Sequence, residues 1–479
     1  MYSRRAFVFL LCLAFMNVSI SETKIIQIGG GNKIENSQGQ IEENVIWLSD
    51  ILRRSSDNIT NYYASGKSGD VDVAYYGRQR MDDLMEPLSR IYEYSDAHRL
   101  KFKRNSVPNL SGSINKEELK ASLTQIFKSL SDNDELLIIF NGHGGINEDD
   151  VRFNTLKLWG DERIDVGEID ALLDNASDNV VTRFVFPQCY SGGFYHLIFK
   201  DPTSSELAKQ ERCGFFAESP YEESEGCSLN TNKDEYRDYS TYFFAPLNGK
   251  TRSNQELALN ADLNSDGIIS FSESHTYTIM EGVSKDISQS TSEVYLEQWE
   301  PWFIRWAFSE EDTTSEYWQV AIYLSEKHNL PLEGKYLQEN KQLLENQISV
   351  VIEKRSSLKQ EIEKISTDLK NSLKRFWPEL SHPYTNNYFS LLNKKLLEIN
   401  QYITKQNSYV QLVDLQNSYL EQNRKELELE RKVAQIDKIL RMKKLSRIKN
   451  YFNAYASDQH KNDYQRLKKC EDGRLLSTE

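Results

Sequence analysis

Short apolar runs alternate with amphipathic stretches through the first part of the chain. Lys24-Ile25-Ile26-Gln27-Ile28 leads into Gly29-Gly30-Gly31, the pattern of a buried strand that ends in a loop. A helix is expected near Glu42, then a strand at 71–75, a helix at 116–130, a strand at 136–140, a helix at 166–173 and a strand at 180–186. Strands that alternate with helices form a mostly parallel sheet covered on both faces. The expected fold class is therefore α/β, a mostly parallel sheet flanked by helices. Ligands in such sheets lie beyond the carboxyl ends of the strands. The loops 141–145 and 188–193 each leave a strand at that end, so they are expected to meet in space.

Beyond about residue 330 the period changes. Leu337, Leu344, Ile348, Val351, Leu358, Ile362, Ile365, Leu369 and Phe376 fall on heptad core positions, interrupted by Lys341, Arg355 and Ser372. A second series, Phe389, Leu392, Leu396, Ile399, Ile403, Val410, Val413, Leu420 and Leu427, follows a break that holds Pro378 and Pro383. A C-terminal antiparallel helical hairpin of coiled-coil type is the natural expectation, its two stripes packing on each other. The chain thus divides into residues 1–21, 22–310 and 311–479.

Residues 1–21 carry Arg4 and Arg5 ahead of an apolar run at 6–16, then Ser19 and Ser21, the layout of a secretory signal peptide. That run is too short to span a bilayer. The chain is expected to be exported, to the periplasm or beyond the cell, with no membrane span. Net charge is −14, which disfavours generic nucleic-acid binding. It is divided unevenly: residues 331–479 hold 27 basic and 20 acidic side chains, leaving the deficit in residues 1–330. The basic hairpin is expected to dock on the acidic part of its own chain, to self-associate, or to bind another partner. Cys12 lies in the signal segment. Of the other four cysteines, Cys213 and Cys227 bracket a polar loop and are the expected disulfide, while Cys189 and Cys470 need no partner.

Two strand ends carry the chemistry. Leu136-Leu137-Ile138-Ile139-Phe140-Asn141-Gly142-His143-Gly144-Gly145 sets a histidine just past one buried strand, and Phe184-Val185-Phe186-Pro187-Gln188-Cys189-Tyr190-Ser191-Gly192-Gly193 sets a cysteine past the next. Either residue alone is ordinary core or loop chemistry. Together they offer a base and a nucleophile for acyl transfer, with glycines leaving backbone N–H groups open to an oxyanion.

A strand ending in His-Gly, followed about 45 residues later by one ending in Gln-Cys-x-Ser-Gly, resembles the caspase–legumain superfamily of cysteine peptidases. The Gly29-Gly30-Gly31 loop with Asn36, Gln38 and Glu43-Asn44-Val45, and the run Cys213-Gly214-Phe215-Phe216-Ala217, are similar to exported bacterial members of that group. The resemblance covers residues 24–306. It implies a caspase-like sheet, His143 as general base, Cys189 as nucleophile, and the N–H groups of Gly144 and Cys189 as the oxyanion site. It also implies that 217–224 and Asp238 help form the primary specificity pocket. Glu223 replaces a small hydroxyl residue there, and Pro187 replaces a glutamate, so a basic P1 residue is expected if Glu223 and Asp238 line the pocket.

A separate motif lies at 262–273. Asp262, Asn264, Asp266, Gly267, Ile268 and Glu273 fit an EF-hand-like loop that would hold a structural Ca²⁺, with Ile268 giving its carbonyl. No cofactor is needed for the chemistry itself. The reading is an exported cysteine endopeptidase acting on proteins or peptides; the alternatives are a transamidase or ligase using the same acyl-enzyme, and a non-catalytic secreted interaction protein built on the hairpin.

Overall fold

The alternation of apolar side chains between the two faces of continuously buried strands decides how the sheet is covered. A computed structural model describes residues 22–54, 56, 58–77, 85–92, 100–303, 311–382 and 385–475; the signal segment expected at 1–21 lies outside them. Strands β1 (Thr23–Gly30), β2 (Ile59–Tyr63), β5 (Leu110–Gly112), β6 (Glu135–Gly142), β10 (Val181–Phe186), β11 (Glu211–Phe216) and β12 (Gln289–Ser290) form a seven-stranded sheet in the order β12-β11-β10-β6-β1-β2-β5. All pairings are parallel except β11 with β12.

One face presents Ile25, Leu137, Ile139, Val185 and Phe215 to helices α1 (Gly39–Leu52), α5 (Tyr239–Asn248) and α6 (Phe271–Glu281). The alternate residues, Ile26, Ile28, Ile138, Phe140, Phe184, Phe186 and Phe216, face α3 (Lys116–Ser129), α4 (Val166–Leu173) and α7 (Thr291–Trp299). The α/β class read from the sequence is the class observed.

One strand was misplaced. The run at 71–75 becomes β3 (Val71–Tyr76), which pairs antiparallel with β4 (Leu100–Arg104) outside the main sheet. The place beside β1 belongs to β2, whose Asn61 disguises its buried character. Gln27 Nε2 donates to Asn61 Oδ1 and to Ser49 Oγ at 3.0 Å each, and Asn61 Nδ2 donates to Ser49 Oγ, so the polar groups that broke the apolar pattern pair with one another inside the protein, all but Gln27 Oε1. A small third sheet holds β7 (Gly144–Gly145), β8 (Thr155–Leu158) and β9 (Glu162–Asp165).

The C-terminal region is helical: α8 (Glu316–His328), α9 (Gly334–Phe376), α10 (Asn386–Thr404), α11 (Asn407–Tyr455) and α12 (Asp458–Glu471). A short helix, α2 (Glu86–Tyr92), packs against its far end. Lys341 meets Asp437 at 2.6 Å and Arg355 meets Glu426, so α9 and α11 pass each other in opposite directions. Leu337, Val351, Ile362 and Leu369 are buried at the expected heptad positions, while Phe376 is 61% exposed. The second stripe changes phase. A break at Lys405–Gln406 separates α10 from α11, leaving Val410 55% exposed and burying Leu412, Gln416 and Leu429 instead.

The last two helices do not stand apart from the sheet. Ile436, Ile439, Met442, Leu445, Ile448 and Phe452 of α11, with Tyr464 and Leu467 of α12, join the core that covers β6 and β10. Cys470 forms a disulfide with Cys213, correcting the expected Cys213–Cys227 pair. The reason is geometric: Cys213 lies three residues, roughly 10 Å, back from the carboxyl end of β11. Cys227 lies at the carboxyl-end loops, its free thiol 3.8 Å from the Gly142 carbonyl. Beside the bridge, Arg183 Nε donates to the Cys470 carbonyl at 2.7 Å. The Glu471 carboxylate caps the start of α7, accepting from the Thr291 hydroxyl at 2.7 Å and the Ser292 N–H at 2.6 Å. No described helix is long and apolar enough to cross a membrane.

The bridge closes a loop of 257 residues, which in the chain-entropy model stabilises the fold by about 5 kcal/mol. Cys470→Ser should therefore lower the calorimetric melting midpoint by roughly 5–10 °C. Reductant should shift the native chain equally; an unchanged midpoint would show the bridge to be energetically idle.

Candidate active site

Parallel pairing of β6 with β10 sets His143 and Cys189 level. Ile139 stands opposite Val185, and His143 and Cys189 each follow four positions later. The loops they lie on touch through backbone. A Cβ on Gly144 would sit 1.9 Å from the Cys189 carbonyl oxygen, so only glycine permits this approach.

His143 has a defined tautomer. Its Nε2 is 2.8 Å from the Asn36 carbonyl and 2.8 Å from Gln38 Oε1. A carbonyl only accepts, so Nε2 carries the proton and the Nδ1 lone pair is the basic atom. The Asn36 carbonyl is itself held in place. A Cβ at Gly31 would lie 2.3 Å from that oxygen; the Asn36 Nδ2 donates to Asn32 Oδ1 at 2.8 Å, and Asn32 Nδ2 donates to Asp161 Oδ1 at 2.5 Å. Burial lowers the His143 pKa below the ordinary imidazole value, opposed by the Asn36 bond and assisted by Lys157. The ring is neutral at pH 7.

Burial also acts on Cys189, raising its pKa above the usual thiol value. Ser224 opposes this: its carbonyl and its hydroxyl each lie 3.8 Å from the sulfur. Glu223 and Asp286 raise the value further. Cys189 is followed by Tyr190 in the left-handed region (φ 58°), a sharp turn that Glu222 secures by accepting the Tyr190 N–H at 2.9 Å.

Two N–H groups at these strand ends are left out of the local backbone pairing. The Lys157 N–H bonds the His143 carbonyl at 2.8 Å, which makes Gly144 and Leu156 a non-hydrogen-bonded pair and turns the Gly144 N–H away from β8. Among the described residues the Cys189 N–H has no hydrogen-bond partner.

The expected pocket residues lie close by but are engaged differently. Glu223 is exposed and accepts the Tyr190 hydroxyl at 2.9 Å. Asp238 is buried behind Gly226, its carboxylate occupied by three side-chain donors. It accepts from Gln40 Nε2 and Asn44 Nδ2 at 2.9 Å each and from Thr241 Oγ1 at 2.7 Å. Sequence reasoning missed Asp286, and it named Gln188 and Ser224 only as members of the Gln-Cys motif and of the 217–224 stretch. Gln188, next to the cysteine, is buried with both amide atoms unpartnered among the described residues. Nothing in the local sequence marks Asp286, which reaches the site from a distant segment.

The 262–273 loop curls on its own backbone. Asp262 accepts the N–H groups of Asp266 at 3.1 Å and Gly267 at 2.9 Å, Asn264 accepts from Asp266 at 2.8 Å, and Asp266 accepts from Ile268 at 2.9 Å. Gly267 makes the left-handed turn, φ 84°. Glu273 closes the loop: Oε1 accepts the Leu263 N–H at 2.9 Å, and Oε2 accepts the Ser270 N–H at 2.9 Å in the capping box of α6. Among the described residues no three His, Cys, Asp or Glu side chains converge as metal ligands. The donor set is all oxygen, which suits a hard cation rather than zinc.

No protein-family model matches this chain, and no curated protein does. A solved structure, protein GSU0716 from Geobacter sulfurreducens, aligns at 10% identity and a TM-score of 0.29 over 47% of this chain and 80% of its own; a likeness that low carries no argument about fold or function.

Two outcomes are expected. Gly144→Ala should cost several kcal/mol of stability, roughly 3 or more, because neither partner in the clash can rotate away; chemical denaturation measures it. Iodoacetamide modification of Cys189 should still be accelerating at about pH 9, because burial holds the thiol protonated through neutrality. A plateau already reached near neutral pH would instead mean a preformed thiolate–imidazolium pair.

Proposed function

We propose that this chain is an exported cysteine endopeptidase with a caspase-like fold. The observation that supports it most is the placement of His143 and Cys189 at one level beyond adjacent parallel strands, with His143 Nε2 engaged and Nδ1 left basic. In this reading His143 Nδ1 takes the Cys189 proton as the sulfur attacks the scissile carbonyl. The Gly144 and Cys189 N–H groups receive the oxyanion. The imidazolium then protonates the departing amine, and water, deprotonated by the same nitrogen, releases the acid from the thioester. Both groups begin neutral, so the ion pair forms only with substrate in place.

A basic P1 residue rests in this reading on Glu223, because Asp238 is already satisfied by its own donors. The helical region, with its opposed α9 and α11, would be the coiled-coil hairpin of the same protein. Asp262, Asn264, Asp266, the Ile268 carbonyl and Glu273 would hold a structural Ca²⁺ once Glu273 leaves its backbone donors. Such an ion would stiffen the start of α6, whose Phe271 N–H bonds the Gly473 carbonyl at 2.9 Å.

Cys189→Ala should reduce hydrolysis of a peptide library by roughly 10⁴-fold or more, and His143→Ala comparably. Mass spectrometry of cleavage at Arg, Lys, Asn and Asp, with an amine nucleophile added, reads both the P1 preference and any transfer to amines. Undiminished cleavage by the Cys189 variant would end the proposal. Chelation should lower the melting temperature, and added Ca²⁺ should restore it; no movement in either direction would remove the ion from the account.

A further inference from the structure

The segment that encloses Cys189 is fastened from behind by the C-terminal region. Ser224 faces the sulfur, and its hydroxyl also bonds the Pro187 carbonyl at 3.0 Å. The next residue, Glu225, points the other way. Its N–H donates to the buried Asp286 carboxyl at 2.6 Å, and its carboxylate accepts the Lys285 N–H at 3.1 Å. The same carboxylate takes a forked pair of bonds from Arg431 of α11, one from Nε at 3.1 Å and one from a terminal guanidinium nitrogen.

Two turns along α11, the buried Lys438 ammonium donates to the Gly282 carbonyl at 2.8 Å. Its charge faces Asp286, Glu218 and Glu225. Glu218 anchors the start of the same segment, accepting the N–H groups of Ser219 at 2.7 Å and Ile287 at 2.9 Å. Three carboxyl groups are thus gathered behind the cysteine, Asp286 and Glu218 pushed by burial toward their neutral forms, and two cations from one helix face them, with Lys285 also near Glu218. Surface neutralisation does not need this. Glu225 is largely shielded from water and Arg431 partly so, and there a forked ion pair fixes geometry as well as charge.

We propose that Arg431 is a positioning residue for Cys189: by gripping Glu225 it holds Ser224 against the sulfur, so the C-terminal helix sets the reactivity of the cysteine from behind rather than covering it. The inference rests on the reading of Cys189 as the reacting group and adds a control element to it. Releasing Glu225 would let water reach the sulfur. Burial is the largest influence raising the Cys189 pKa, ahead of the opposing Ser224 contacts, so the thiol would ionise at lower pH and become easier to alkylate while losing its placement for attack. Glu223 and Asp286 are the acidic neighbours that raise the thiol's pKa, burial itself pushing Asp286 well up toward its neutral form, and both stay in place in the test.

The test uses the full chain and three variants, Arg431→Met, Glu225→Gln and the double substitution, each first checked for an unchanged melting temperature. Iodoacetamide modification is followed across pH by peptide mapping, which separates Cys189 from Cys227, and peptide turnover is measured alongside. Expected for Arg431→Met is roughly tenfold faster alkylation, a profile moved toward lower pH, and roughly tenfold lower kcat/KM; the double variant should match the single ones, as members of one interaction do. Arg431→Lys, which keeps charge without the fork, should fall between. Alkylation and turnover both unchanged in Arg431→Met would overturn the inference while leaving the peptidase reading intact. A native chain without peptidase activity whose alkylation profile still shifts in the variant would sink the peptidase reading and uphold the clamp.

Discussion

Parallel pairing between β6 and β10 is the constraint on which the candidate site depends. Each strand is buried on both faces, so neither can slide by one residue without turning its whole set of apolar side chains to the wrong layer. That register fixes the relative height of everything attached to the strand ends. His143 and Cys189 inherit it because each lies the same short distance beyond the last paired residues. Gly144 then lets the two loops close to backbone contact. Precision at the site comes from the sheet, and the loops only transmit it.

Around that frame, polar groups are spent where they hold backbone rather than where they meet solvent. Asn36 offers a carbonyl to His143 and is itself anchored through Asn32 and Asp161. Ser224 leans on Cys189, and Glu222 on the turn after it. Both reactive groups are pushed by burial toward their neutral forms. In the proposed reading, a pair that rests in this state forms its charges only when a substrate carbonyl enters and water is excluded.

Much of the sheet was legible in the sequence because buried parallel strands advertise themselves as unbroken apolar runs, and five-residue stretches such as Leu136 to Phe140 leave little choice. The strand containing Asn61 was not, since its polar residue finds Gln27 and Ser49 only in three dimensions. His143 and Cys189 could be named from strand ends and glycines. Their supports could not: Asp286 and Arg431 come from segments about 100 and 240 residues farther along, and no local pattern links them to the loop they hold. The disulfide was misjudged for a related reason. Spacing favoured a short loop, whereas the position of Cys213 within β11 faces the end of the chain. In the helices, periodicity identified the stripe on α9, but the break at Lys405–Gln406 reset the phase of α11, and a rule that counts sevens cannot see a break made by backbone alone.

The bond from Cys213 to Cys470 has a consequence for how such a chain comes into being. The strands of the sheet emerge from synthesis well before α11 and α12, which supply one wall of its core. Until that stretch arrives, the apolar flank of β6 and β10 is only partly covered. Closure of the core is therefore delayed relative to the strands it covers, and a ribosome-bound chain that has not yet reached Cys470 lacks the latch that ties β11 to α12.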